Sequence, residues 1–398
     1  MKAAAARVRL AQLTAQHLRR RRRTVSAVDP ATCEVIVDGE RRVNFCGNDY
    51  LGLKAHPALA RALQECAAIA GCGSGASHLV TGHGREHERL EAQLAQFTGR
   101  ARALLFSTGY MANLAAVTCL AARDSRIVMD RLCHASLIDA AHLSGGELKR
   151  FAHANVPAAR VMLEGAAAPG LNLLVTDGVF SMDGDLAPLP QLAQLATQAD
   201  ACLIVDDAHG LGVMGASGRG SLEHFDLDST AVPILVGTLG KAFGCFGAFI
   251  AADEDYIEWL LQSARSYIYT TALPQPVAAA ACAALTVASA ESWRRERVLE
   301  LAARLRHGAA QAGVPLLPSP SPIQPVVLGD SDRALRVSEK LFAAGFWVAA
   351  IRPPTVPRGS ARLRITLCAN HSEQQVDALL AALVAALRAT PETPHAAA

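Results

Sequence analysis

Gly237-Thr238-Leu239-Gly240-Lys241-Ala242 sets one lysine between glycines, directly after the apolar run Ile234 to Val236. Burying an ammonium group is costly unless it is paired or deprotonated. The placement makes sense if the run is a core strand and the amine's task is to form an imine with an aldehyde cofactor. A surface lysine in a glycine-rich turn is the alternative, and these six residues do not choose between the two.

The surroundings favour a core strand. From His56 onward, helical stretches (Pro57 to Ala70, Glu86 to Phe97, Met111 to Leu120) alternate with short apolar runs. The runs are Ala103 to Phe106, Ile127 to Met129, Leu171 to Thr176, Ala201 to Val205, Ile234 to Val236 and Gly247 to Ala251. Continuous apolar strands separated by helices predict an α/β fold with a mostly parallel sheet covered on both faces. Before this region, Lys2 to Arg23 reads as one helix, and Cys33 to Phe45 alternates around Asp38-Gly39 as a hairpin. After it, long helical stretches (Val277 to Ala312, Ala334 to Ala344, Gln374 to Ala389) flank strand-like pieces at Ile323 to Leu328, Trp347 to Ile351 and Leu363 to Leu367. This predicts an N-terminal segment over 1–55, a large domain over 56–285 and a smaller α+β domain over 286–398, with the tail after Thr390 disordered.

Composition narrows the function. The chain has 398 residues, 19% of them charged, and a formal net charge of +2, which gives no field to attract nucleic acid. The run Arg19 to Arg23 is a local exception, too short and isolated for nucleic acid but able to grip an acidic substrate group. Ten cysteines (33, 46, 66, 72, 119, 133, 202, 245, 282 and 368) contain no Cys-x-x-Cys pair, so reduced thiols and no metal are expected. Apolar runs such as Ala378 to Leu387 are too short to span a bilayer. The first 28 residues lack acids, as transit peptides do, but Leu10, Leu13 and Leu18 suit a terminal amphipathic helix, and the cytoplasm is the expected compartment. Gly71-x-Gly73-x-x-Ala76 follows a helix rather than a strand, so it lacks the setting of a dinucleotide site. His87-Glu88-Arg89-Leu90-Glu91 approaches a zinc-protease helix but ends in Glu91, and reads as a solvated helix face.

The polar residues collect just past the strands. Ser107-Thr108-Gly109-Tyr110, Ser181, Asp206-Asp207-Ala208-His209 and Thr238 with Lys241 each follow an apolar run, where open α/β sheets bind ligands. Gly109 and Tyr110 open a helix whose backbone N–H groups suit a phosphate, unless they form a plain turn. Asp206 needs a cationic partner, which a protonated pyridine nitrogen of pyridoxal phosphate would supply, whereas a helix N-cap suits Asp207 better. His209 is placed for the cofactor's phenolic oxygen, and His134 offers a flat ring to stack on a flat cofactor. Each is otherwise an ordinary structural histidine.

These motifs resemble the α-oxoamine synthases. The lysine stretch, Val205-Asp206-Asp207-Ala208-His209-Gly210, Phe180-Ser181-Met182-Asp183-Gly184-Asp185 and Asn48-Asp49-Tyr50-Leu51-Gly52-Leu53 carry the likeness, which runs from about residue 7 to 388. Ile323 to Gly329 and Ala350 to Pro357 are most similar to the branch acting in biotin biosynthesis. The resemblance implies a pyridoxal-5′-phosphate-dependent transferase of the aspartate-aminotransferase fold (fold type I), with a large, mostly parallel, seven-stranded-type sheet. It implies an acyltransferase joining L-alanine to a pimeloyl thioester, on CoA or acyl carrier protein, in a homodimer with interfacial active sites. Lys241 becomes the Schiff-base lysine and the base for alanine, Asp206 the partner of the pyridine nitrogen, and His209 a contact of the phenolic oxygen. His134 stacks on the ring, and Ser181, Thr238, Gly109 and Tyr110 hold ring and phosphate. Thr270 or Thr271 reaches the other subunit's phosphate. Asn48 and Arg364 match carboxylate-binding positions, Arg352 and Thr355 the acyl side, and Arg22 is chosen from the arginine run over Arg19. The sequence departs from the family at Ala76, where a second glycine is common, and at Cys245-Phe246, where smaller residues are frequent.

Overall fold

The computed structural model of the chain describes residues 3–27, 32–164 and 169–392. Lys2 and residues 393–398 of the expected disordered tail lie outside the described residues. The chain forms two compact units, one of 49–181 and 185–295, the other of 1–48, 182–184 and 296–398.

The first unit is built on seven strands: β1 (Arg102–Phe106), β2 (Arg126–Asp130), β3 (Glu147–Phe151), β4 (Asn172–Asp177), β5 (Ala201–Asp206), β6 (Ile234–Thr238) and β7 (Ala248–Ala252). Their spatial order is β1-β7-β6-β5-β4-β2-β3, with β7 antiparallel to both neighbours and the other pairs parallel. The apolar runs therefore form the expected sheet. The chain folds this way because alternate residues of each strand face opposite layers. Ile127, Met129, Leu173, Val175, Ile204 and Val236 pack on one side, Val128, Leu174, Leu203, Val205 and Leu235 on the other. Most of these side chains are fully buried, and each contributes about 1.5–3 kcal/mol relative to exposure.

In the second unit, Glu34–Val37 and Glu40–Asn44 pair antiparallel around Asp38 and Gly39, both at positive φ. That is the type I′ geometry the Asp-Gly pair favours. The stretch read as one strand at Trp347 to Ile351 divides between two sheets. Phe346–Trp347 pairs with Glu40–Asn44, and Ala349–Ile351 pairs with Ala361–Thr366. The N-terminal helix spans Ala3–Ala15, shorter than expected, and none of its residues is buried. His17 takes φ 54°, and the five arginines beyond it repel one another, so the helix stops before them. Val277 to Ala312 is two helices, Gln275–Ala290 and Trp293–Gln311, rather than one.

Candidate active site

In the first unit the carboxyl ends of β1, β2, β4, β5 and β6 carry the polar residues singled out in the sequence. Asp206 closes β5 and is 7% exposed. Its carboxylate accepts from Asn113 Nδ2 at 2.6 Å and from the Ala208 N–H at 3.0 Å. Asn113 lies within the helix Gly109–Thr118, is itself buried, and also donates to Ser136 Oγ at 2.8 Å. Both identified partners of the carboxylate are thus neutral, and a buried acid held this way suits a cationic ring nitrogen. The residues fit pyridoxal phosphate on this ground.

Asp177 closes β4 in register with Asp206. Burial, then the neighbouring Asp206 charge, push its pKa well up, so Asp177 keeps its proton more readily than an ordinary aspartate. Its Oδ1 accepts the backbone N–H of His134 at 3.1 Å. His134 caps the helix Ala135–Ser144, its Nδ1 meeting the Ser136 N–H at 3.3 Å and Ser136 Oγ at 2.7 Å. His134 is exposed as a residue, yet its ring is partly desolvated. That loss of hydration lowers its pKa against the opposing charge of Asp206, and Lys241 adds to the lowering. The ring therefore gives up its proton more readily than an ordinary histidine.

His209 is buried, and its Nδ1 lies 2.7 Å from the hydroxyl of Tyr50, which is itself fully buried. Thr108 caps the helix that begins at Gly109, accepting from the Met111 N–H at 3.3 Å, so the Gly109 and Tyr110 amides stand at its N-terminus as expected. Tyr110 points its hydroxyl to Asp139 Oδ2 at 2.5 Å, an interaction that raises the phenol's pKa. Thr238 ends β6, donating to the Gly247 carbonyl at 3.0 Å and accepting from the Gly240 N–H at 3.3 Å. The Gly244 N–H bonds the Lys241 carbonyl at 2.9 Å, closing the lysine loop, and Lys241 is half-buried. Ser181 follows β4, and Thr270 and Thr271 lie in the loop after Arg265–Ile268.

The second unit holds the remaining residues. Arg364, on Ala361–Thr366, is 6% exposed and donates to Asn48 Oδ1 at 3.1 Å. Arg352 bonds the His17 carbonyl, and Arg20 Nη2 donates to Thr355 Oγ1 at 3.0 Å. Arg19, Arg21, Arg23 and Arg352 share a cavity of about 500 Å³ with Phe342 and Trp347; Arg22, like Arg19 and Arg21, is exposed. Burial, then the Arg20 charge, lower the Arg352 pKa.

Sequence reading did not single out Asn113, Ser136 or Asp177, and it quoted Tyr50 only within a motif. A lone asparagine in the apolar helix from Met111 to Thr118 was the available signal for the first. The reading of His87 as a solvated residue was wrong. It is fully buried, its Nδ1 taking the Gly84 N–H at 2.9 Å and its Nε2 bonding the Leu273 carbonyl at 2.5 Å.

A family model described as aminotransferase class I and II matches residues 40–383. The 8-amino-7-oxononanoate synthase of Thioalkalivibrio sulfidiphilus is 54% identical over 383 residues, covering 96% of this chain and 97% of that one. The enzyme of that name from Stutzerimonas stutzeri is 55% identical over 384 residues, with 96% and 97% covered. Among solved structures, serine palmitoyltransferase from S. paucimobilis with bound PLP and myriocin superposes with a TM-score of 0.92 at 30% identity, covering 97% of each chain. An 8-amino-7-oxononanoate synthase from Francisella tularensis gives 0.77 at 32% identity, covering 86% of this chain and 97% of that one.

Proposed function

Because the chain belongs to the aminotransferase class I and II family, we propose that it condenses L-alanine with a pimeloyl thioester to 8-amino-7-oxononanoate, carbon dioxide and free thiol, in biotin biosynthesis. The observation that carries this reading is identity of 54–55% along nearly the whole chain to enzymes of that name. The protein is an acyltransferase, and its cofactor is pyridoxal 5′-phosphate, which when bound supplies an electron sink for negative charge at the amino acid's Cα.

The chain's residues divide the work as follows. Lys241 would anchor the cofactor aldehyde, and its amine would serve as the base for the Cα proton of alanine. With that proton on Lys241, the carbon would attack the thioester carbonyl and displace the thiolate, which takes a proton from solvent, and the Lys241 proton would return to the carbon after carbon dioxide leaves. Asp206, oriented by Asn113, would hold the ring nitrogen protonated. His134 would lie against the ring, and His209, set by Tyr50, would bond the phenolic oxygen. Ser181, Thr238 and the Gly109 and Tyr110 amides hold ring and phosphate. Arg364 and Asn48 take the alanine carboxylate, where a planar guanidinium fork matches two oxygens. Arg352 and Thr355 serve the acyl donor, delivered by CoA or acyl carrier protein, together with one arginine of the run, of which Arg20 is the one bonded to Thr355.

The working form is a homodimer in which Thr270 or Thr271 reaches the partner's phosphate. Tyr269, 71% exposed beside them, and Val80, 73% exposed, support a covered face there. Ten free cysteines suit a reducing cytoplasm.

The test is purified enzyme with pyridoxal phosphate, L-alanine and pimeloyl-CoA, following free thiol, carbon dioxide and product mass. Glycine and serine arms, with other acyl thioesters, run beside it. Turnover of alanine with the pimeloyl donor above every other pair is expected. Preference for another pair would overturn the substrate assignment while leaving the family intact.

A further inference from the structure

Three histidines converge around the turn that carries Val80, beside the segment that holds Thr270 and Thr271. A π-turn over His78–Gly82, closed by the Gly82 N–H to the Ser77 carbonyl at 2.9 Å, carries the chain from His78 to His83. The i to i+5 repeat of such a turn sets these two side chains together. Their Nδ1 atoms lie 2.8 Å apart. His87 joins them from the helix Arg85–Thr98, and one nitrogen from each of the three rings lies within 4.8 Å of the others.

The surrounding bonds distribute the roles. His83 Nε2 faces Glu88 Oε1 at 3.0 Å, which keeps the proton on Nε2 and leaves the Nδ1 lone pair directed at His78. His87 is committed to the backbone at both nitrogens, to Gly84 and Leu273, so it frames the cluster and does not ligate. His78 is 6% exposed and stacks on Tyr267 at 4.7 Å. Burial, then the two other histidines, lower its pKa to about 3, so it is neutral at ordinary pH. A cavity of about 390 Å³ lined by His78, His83, Glu88 and Glu91 leaves room for water.

We infer that His78 and His83 form a binding site for a divalent first-row transition metal ion, held between their Nδ1 atoms, with water from the adjoining cavity completing its shell. Imidazole nitrogen suits such ions. Binding replaces the proton shared between the two Nδ1 atoms, which moves to His78 Nε2. The nitrogens then open from 2.8 Å to about 3.3 Å, the separation set by two metal–nitrogen bonds of about 2.05 Å at a tetrahedral angle. Glu88 is the carboxylate that orients a ligating histidine from outside the shell. The ion would tie the π-turn to the helix that carries Glu88.

Co²⁺ titration of the holoenzyme tests this, by equilibrium dialysis and visible ligand-field spectra. One equivalent is expected, with bands of nitrogen and oxygen ligation. Glu88→Gln, at a side chain 75% exposed, is expected to weaken binding about 10-fold. His83→Gln, at a ring 22% exposed, is expected to abolish it, with circular dichroism confirming the fold. No stoichiometric uptake, thiolate-type bands, or uptake unchanged in His83→Gln would overturn the site. Unchanged affinity in Glu88→Gln would overturn the Nδ1 assignment.

Discussion

Asn113 Nδ2 lies 2.6 Å from Asp206 Oδ2, and the same amide nitrogen reaches Ser136 Oγ at 2.8 Å. One buried asparagine therefore ties the acid that closes β5 to the first turn of the helix capped by His134. Asn113→Ala removes a hydrogen bond to a charged group and leaves Asp206 with the Ala208 N–H as its remaining identified partner. Such bonds are worth about 1.5–3 kcal/mol, so kcat is expected to fall about 10-fold or more. Steady-state kinetics with cofactor absorbance separates this from simple loss of pyridoxal phosphate. Unchanged kcat would show that Asp206 holds its position without Asn113.

Asp206→Asn removes the charge itself. The amide occupies the same space but cannot keep the ring nitrogen protonated, and kcat is expected to fall about 100-fold or more with the fold intact. Asp177 cannot replace it, because burial and the adjacent strand end favour its protonated form. Near-normal turnover would remove Asp206 from the mechanism.

The legible parts of the chain were those where one physical demand dominates. Buried parallel strands read as unbroken apolar runs, and the ligand-facing residues stood just past them, so Lys241 and Asp206 were visible together. β3, Glu147-Leu-Lys-Arg-Phe151, escaped notice because an edge strand has one neighbour and tolerates charge. The direction of β7 was equally hidden, since Ala248 to Ala252 reads the same either way. Asn113 and His87 were missed for a shared reason. Their value comes from partners distant in sequence, Asp206 for one and the Leu273 carbonyl for the other.

His153 bridges Asp130 and Asp185, at 3.1 Å from Nδ1 and 2.8 Å from Nε2. Burial opposes its charge, but the two carboxylates outweigh burial and raise the pKa from 6.5 to about 9. A raised folded-state value means the contribution is complete below about pH 6.5 and is lost as pH climbs through about 9. His153→Gln is expected to cost about 1–2 kcal/mol in that lower range, discounted for the ring's partial exposure, and much less above pH 9. Urea unfolding of both proteins across this range measures it. A pH-independent difference would rule out the ionised bridge.

Arg364→Lys keeps the charge but not the fork that meets Asn48 Oδ1 at 3.1 Å. If this arginine takes the alanine carboxylate, KM for alanine rises about 10-fold or more, with a smaller change in KM for the acyl thioester. Equal changes in both constants would assign Arg364 a structural role.

The lysine loop has one glycine that cannot be replaced and another that can. Gly244 adopts φ +62°, and a Cβ there would lie 2.2 Å from the Lys54 nitrogen and 2.6 Å from the Leu53 carbonyl carbon. Those are backbone atoms, so no rotamer change relieves the clash. Gly244→Ala must move either the 53–54 segment or the Gly244 N–H that bonds Lys241, at a cost of about 1–3 kcal/mol. At Gly240 the nearest atoms to an added Cβ lie at 3.7 Å, which is ordinary contact. Gly240→Ala is therefore expected to leave stability within about 0.5 kcal/mol of the parent. Thermal unfolding with visible cofactor absorbance on the two variants makes the comparison. Gly244→Ala should melt earlier and lose pyridoxal phosphate, whereas Gly240→Ala should melt with the parent, so any rate change there arises from crowding beside Lys241. Equal melting of all three proteins would mean that the 53–54 segment yields without strain.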